Sequence, residues 1–109
     1  MIGLGKWQGE VNIQVLRLKG DVFITISDNG GAYAVDIVLP PQLQEKVKLH
    51  FDSIEESGDN GLKGKGKLTT PAGRELSFEA GVEFDGEEMS GSLKIAIANI
   101  KIKNGHKIG

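Results

Sequence analysis

The sequence predicts an all-β fold, an up-and-down antiparallel meander of about seven strands that forms a closed or nearly closed barrel. Hydrophobic and polar residues alternate along most of the chain, which gives each strand one apolar face. Turn pairs such as Asn29-Gly30 and Asp85-Gly86 separate these runs. The 16 glycines are about twice the usual share, as expected for a sheet with many tight turns. A two-sheet β-sandwich is the alternative architecture.

Three strands are predicted before the first proline, at residues 6–18, 21–28 and 31–39. Two-residue turns at Lys19-Gly20 and Asn29-Gly30 would join them. With these turns Val15 lies opposite Ile24, and Ile26 lies opposite Tyr33. Apolar residues then face one another along both ladders, as expected for strands that share an interior face.

Pro40-Pro41 ends the third strand, because proline cannot donate a hydrogen bond to a ladder. Residues 40–46 form the only non-strand segment of any size, with room for one helical turn. The fourth and fifth strands follow at residues 46–56 and 62–70. The fifth carries a lysine stripe, which consists of Lys63, Lys65 and Lys67.

The last two predicted strands form a hairpin over residues 76–97, preceded by a three-residue loop between Thr70 and Arg74. That loop sets Leu68 opposite Leu76 and Phe78 over Gly66. In the hairpin itself, pairing Phe84 with Met89 is favoured, because it sets Glu79 opposite Lys94 and avoids facing like charges. After Ile97 the alternation changes phase, which predicts a β-bulge near Ala98-Asn99.

Composition limits the classes of function. A chain of 109 residues predicts a single domain over 1–109. The net charge of −2 does not favour a nucleic-acid partner, because phosphate binding needs a clustered positive field. No apolar run is long enough to span a membrane, and no signal-peptide pattern is readable. The absence of cysteine is typical of a cytoplasmic protein.

Gly5-Lys6-Trp7, at the start of the first strand, resembles the Gly-x-Trp motif of lipocalins and related calycin barrels. The meander of strands is similar as well. The resemblance implies that the Trp7 ring plugs one end of the barrel. The chain differs from lipocalins in its short first turn, in its length and strand number, and in having no readable C-terminal helix.

A non-catalytic binding module is the first functional hypothesis. The barrel interior would be apolar, and a small apolar ligand could occupy it. The large interior side chains are the candidate ligand contacts. They are Trp7, Tyr33, Phe51, Phe78, Phe84 and Met89.

The alternative hypothesis is a protein–protein interaction or homodimerisation module. Four apolar residues of the first three strands point away from the interior, namely Leu16, Leu18, Phe23 and Val38. The predicted registers set Leu16 against Phe23 and Leu18 near Val38, and such a patch is typical of an interface. Cover from within the chain, by Ile100 and Ile102 or by residues 40–46, would remove it.

No catalytic, metal-binding or cofactor-binding pattern is readable. His50 and His106 have no second ligand at metal spacing. Glu55-Glu56 and Glu87-Glu88 are sequence neighbours and cannot converge on one substrate as paired acid–base carboxylates do. The lysine stripe is expected to sit in a mixed-charge ladder, with Lys65 across from Glu79. No catalysis is therefore expected.

Overall fold

The computed structural model describes residues 1–13, 17–41, 48–95 and 98–109. Within these ranges the chain forms eight β-strands, one more than the sequence predicts. They are β1 (Gly5–Ile13), β2 (Leu18–Asn29), β3 (Ala32–Val38), β4 (Lys48–Ser57), β5 (Gly61–Thr69), β6 (Glu75–Asp85), β7 (Glu88–Ile95) and β8 (Ala98–Lys107). None of these ranges contains a helix long and apolar enough to cross a membrane.

The eight strands form one antiparallel sheet in the order β3-β2-β1-β8-β7-β6-β5-β4. Each strand therefore pairs with its sequence neighbours, except that β1 pairs with β8, while β3 and β4 form the two ends of the sheet. These two ends approach each other, so the sheet curls into a nearly closed barrel. The predicted meander and barrel are confirmed.

The extra strand, β8, corrects the prediction for the C-terminal part. Ile95 pairs with Ala98, so the chain reverses here, and the change of phase comes from a hairpin rather than from a bulge at Ala98-Asn99. Ala96 and Ile97 lie outside the described residues. A bulge does occur, but at Asn104, where φ is 54° and the registers of β8 with both β1 and β7 shift.

The first hairpin also differs from its prediction. Trp7 pairs with Ile24, and Ile13 pairs with Leu18, so Lys19-Gly20 is not the turn between these strands. Val15, predicted opposite Ile24, is outside the described residues. Lys19 and Gly20 belong to β2. The glycine serves close packing, because a Cβ there would lie 2.8 Å from the ring carbons of Pro40.

The second hairpin turns at Gly30-Gly31, one residue later than predicted. Both glycines have positive φ, 65° and 94°, as a type I′ turn requires. The Asp28 carboxylate accepts a hydrogen bond from the Gly31 amide at 2.8 Å. Ile26 consequently pairs with Val35 instead of Tyr33. The register moves by two residues, so every side chain keeps its predicted face.

The hairpins of the C-terminal half are confirmed. Leu68 pairs with Leu76, and Phe84 pairs with Met89. At the three-residue loop the Thr70 amide donates to the Arg74 carbonyl at 2.9 Å. The strong turn signals and the charge pairing of Glu79 with Lys94 were sufficient to fix these registers.

Gly66 is paired with a phenylalanine on each neighbouring strand, at the point where the register of β4 shifts. It pairs with Phe51 on one side and Phe78 on the other, and those two rings meet edge to face at 5.2 Å. The register of β4 shifts next to Phe51, which brings the His50 carbonyl so close that no Cβ fits at Gly66. The glycine therefore permits the bulge in β4.

Replacing Gly66 by alanine should lower the free energy of unfolding by about 1–3 kcal/mol, because the new methyl group meets a backbone carbonyl. Gly81→Ala is the matched control. Its Cβ would have only the Leu62 carbonyl within reach, at 4.0 Å, so we expect no loss and up to about 1 kcal/mol of gain. Urea unfolding followed by Trp7 fluorescence measures both; equal midpoints would contradict the packing argument.

Candidate ligand-binding cavity

One end of the barrel is filled by side chains. The Trp7 and Phe84 rings lie 4.8 Å apart, and Met89 is buried in the same cluster. The indole Nε1–H of Trp7 donates to the Gly3 carbonyl at 2.9 Å, which fixes the chain before β1 beneath the ring. We call Trp7, Phe84 and Met89 the aromatic plug. The resemblance to lipocalins implied a tryptophan in this position.

Tyr33 ties the N-terminal segment to this end of the barrel. Its hydroxyl oxygen accepts a hydrogen bond from the Ile2 amide at 2.8 Å. Both residues pack against the buried cluster that contains the aromatic plug. The plug is therefore covered from outside by a short segment that is itself held in place.

The remaining length of the barrel is hollow and contains a cavity of about 450 Å³ that is partly open to solvent. Pockets of roughly 300–1,000 Å³ are typical of small-molecule sites. The wall is almost entirely aliphatic, with contributions from all eight strands. Its principal side chains are Val11, Ile13, Val22, Ile24, Ile26, Val35, Ile37, Leu39, Leu49, Phe51, Ile54, Leu62, Leu68, Leu76, Val82, Leu93, Ile95, Ile100 and Ile102.

The cavity wall offers a ligand almost no polar partner. Lys63 and Ser92 border the cavity, but Lys63 is exposed and pairs with Glu55 in the ladder. In the described part of the chain no polar or charged side chain is buried. Moving a charge into such a space without a partner costs several kcal/mol. The cavity is thus suited to apolar groups alone.

The six predicted ligand contacts occupy different levels of the barrel. Phe51 lines the cavity. Phe78 is buried against the Phe51 ring, while Tyr33 packs at the plugged end. The other three, Trp7, Phe84 and Met89, form the aromatic plug. The alternation identified the interior face, aliphatic residues included, but not the depth along the barrel axis, so the aliphatic residues were not recognised as the main ligand contacts.

The structure describes three of the four residues of the predicted outer patch. Phe23 and Val38 are paired and are 39% and 37% exposed. Leu18 pairs with Ile13 and does not lie beside Val38. On its other side, Phe23 pairs with Gln8 of β1. Leu16, which was predicted to face Phe23, lies outside the described residues. What remains is an exposed apolar pair, Phe23 and Val38. Ile100 and Ile102 do not cover it, because they line the cavity.

The lysine stripe lies in a mixed-charge ladder on the outer surface. Lys65 pairs with Glu79, as predicted, and Lys63 pairs with Glu55. Lys67 Nζ lies 3.7 Å from a carboxylate oxygen of Glu75. Such exposed pairs contribute about 0–1 kcal/mol each. The ladder explains these charges without a ligand.

The histidines lie on the surface. His50 Nε2 is 3.6 Å from an Asp52 carboxylate oxygen, and the His50 side chain is 80% exposed. The exposed His106 ring has Nδ1 at 3.0 Å from the Asn104 carbonyl oxygen. Over the residues the structure describes, no three His, Cys, Asp or Glu side chains converge as a metal site would require.

Comparison with known proteins supports the fold. No protein-family model matches the sequence, and no curated protein does. Among solved structures, the chain is similar to a secretary abundant heat soluble (SAHS) protein from Ramazzottius varieornatus, whose crystal structure came from a dimer sample. The TM-score is 0.62 at 15% identity, covering 97% of this chain and 94% of that one. The chain thus has a lipocalin-like barrel fold.

Trp7→Phe should destabilise the protein by about 1–3 kcal/mol, because the Gly3 carbonyl loses its donor and the contact with Phe84 shrinks. Phe23→Leu is the control, an aromatic substitution on the exposed outer surface that should stay within about 0.5 kcal/mol. Thermal unfolding followed by circular dichroism compares the two. Equal stability losses would show that the aromatic plug is not a key packing unit.

Proposed function

We propose that this barrel is a non-catalytic binding module that holds a small apolar ligand in its interior. The observation that carries the proposal is the aliphatic cavity of about 450 Å³. A small barrel can fill its interior with its own side chains. Here the aromatic plug fills one end, and the space beyond it is left hollow.

A cavity of this volume is large enough for a ligand that binds with micromolar affinity. A ligand of about 20 non-hydrogen atoms gains roughly 0.3 kcal/mol per atom, or about 6 kcal/mol in total. This corresponds to a Kd on the order of tens of micromolar. The free energy would come from removing apolar surface from water, since the wall offers almost no hydrogen bonds.

The chemistry of the wall narrows the proposed ligand class. The buried part of the ligand would carry no charged group and no strong hydrogen-bond donor or acceptor, because such a group would lose its water without replacement. Hydrocarbon chains and other uncharged apolar molecules meet this condition. The proposal includes neither a cofactor nor a nucleic-acid partner. We also propose a cytoplasmic location, because the cysteine-free sequence requires no oxidising compartment.

Ala80→Phe should reduce the affinity for the uncharged fluorescent probe N-phenyl-1-naphthylamine at least tenfold. Ala80 lines the cavity, so a phenyl ring at this position occupies the space that the probe needs. Fluorescence titration of the parent protein and the variant measures the two Kd values.

Ala34→Phe is the matched control, because Ala34 pairs with Ser27 and is absent from the cavity wall. Its Kd should equal that of the parent protein. If the parent shows no saturable binding, or if both variants lose affinity equally, the proposed function is wrong.

A second candidate function is self-association through the exposed apolar pair, Phe23 and Val38. The two side chains are direct neighbours on the outer face of β2 and β3. The similar SAHS protein was crystallised from a dimer sample, which favours a second copy of this chain as the partner. Each partner of a stable complex buries roughly 800 Å². Two side chains supply far less than this area, which argues against a large interface.

Phe23→Glu should abolish any concentration-dependent increase in mass seen by sedimentation velocity. A carboxylate at this position would have to be desolvated in an apolar contact. Ser27→Glu adds the same charge to an exposed position of the same strand and should leave association unchanged. A parent protein that stays monomeric at all concentrations would refute this second function.

A further inference from the structure

The seam between β3 and β4 differs from every other seam of the barrel. Seven pairs of neighbouring strands are joined by backbone hydrogen bonds. The eighth seam lies between Ala32–Val38 and Lys48–Ser57, which are the two ends of the sheet and share no ladder along these ranges. The strands are nevertheless close enough to nearly close the barrel. The described residues of β3 and β4 are thus close together without a backbone ladder between them.

The cavity reaches the β3–β4 seam from both sides. Val35 and Ile37 contribute to its wall from β3, and Leu49, Phe51 and Ile54 contribute from β4. All five side chains are half-buried. A molecule that passed between these strands would meet apolar side chains and would arrive directly in the cavity.

Two other routes, through the plugged end and between hydrogen-bonded neighbouring strands, are less favourable. The aromatic plug fills one end of the barrel, with Trp7 only 2% exposed. Parting any neighbouring strands other than β3 and β4 would break a ladder of backbone hydrogen bonds, for example the nine registered pairs between β5 and β6. Parting β3 from β4 breaks none in the described strands. Local opening is easiest where the fewest interactions are lost.

We propose that the apolar ligand enters and leaves the cavity laterally, by a transient parting of β3 from β4. The inference rests on the proposed binding function and adds the route to it. The outer residues of the seam, such as Asp36 and His50, are polar and exposed, so the seam faces water on one side and the apolar cavity on the other. Opening exposes apolar side chains, which a hydrocarbon ligand covers as it passes.

A cross-link across the seam tests the route, and the absence of native cysteine makes the chemistry selective. Asp36→Cys is combined with His50→Cys or with Ser53→Cys, whichever pair a flexible bismaleimide joins within one chain. These three positions are exposed and none lines the cavity. The control is Asp36→Cys with Thr25→Cys, a directly paired position on β2, so the same reagent then spans a seam that is already hydrogen-bonded.

Stopped-flow fluorescence with N-phenyl-1-naphthylamine gives the association and dissociation rates. The β3–β4 cross-link should slow both rates at least tenfold and leave Kd within twofold, because it raises the barrier without changing the cavity. The β2–β3 cross-link should change neither rate by more than twofold. An unchanged Kd also shows that the linked protein is folded.

Two results would overturn the proposal, and they can be told apart. If the parent protein binds the probe and both cross-linked forms exchange it at the parent's rates, the ligand uses another route while the binding function stands. If the parent protein does not bind the probe, the binding function itself fails and the route fails with it.

Discussion

The ladder between β1 and β8 holds the barrel together. It joins a three-stranded unit, β1 to β3, to a five-stranded unit, β4 to β8. Separated, each unit would expose one apolar face to water, and neither could enclose a core. The seam is reinforced at its end, where the Lys6 carbonyl accepts from the Ile108 amide at 2.8 Å. The side-chain amide of Asn104 also donates a hydrogen bond to a carboxylate oxygen of Glu10 at 2.8 Å.

The division of the interior follows from this closure. Once the sheet curls, every inward side chain competes for the same limited volume. The large rings of Trp7 and Phe84 pack against each other at one end, and the stretch beyond them is lined by β-branched and leucine side chains. These side chains leave the cavity between them unfilled. Plug and cavity are thus two consequences of where bulky side chains fall along the strands.

The sequence predicted the sheet, its meander order and the registers of the C-terminal hairpins, because turn chemistry and alternation agreed there. The prediction of a turn at Gly20 was wrong. This glycine lies within β2 and leaves room for Pro40, a residue of another segment. The sequence-based prediction also missed β8, since one change of phase fits either a bulge or a reversal. Alternation placed the aliphatic wall residues on the interior face, but it does not encode position along the barrel axis, so it could not separate the cavity from the plug.

The pairing of the first strand with the last has a consequence during protein synthesis. β1 has β2 as an early partner, but its other edge stays unpaired until β8 has been translated, roughly 90 residues later. At about 5–20 residues per second this interval lasts on the order of 5–20 s. Throughout it, the apolar face around Trp7 and the free edge of β1 are open to other nascent chains and to chaperones. The N-terminal hairpin is therefore the segment most in need of protection before the barrel closes.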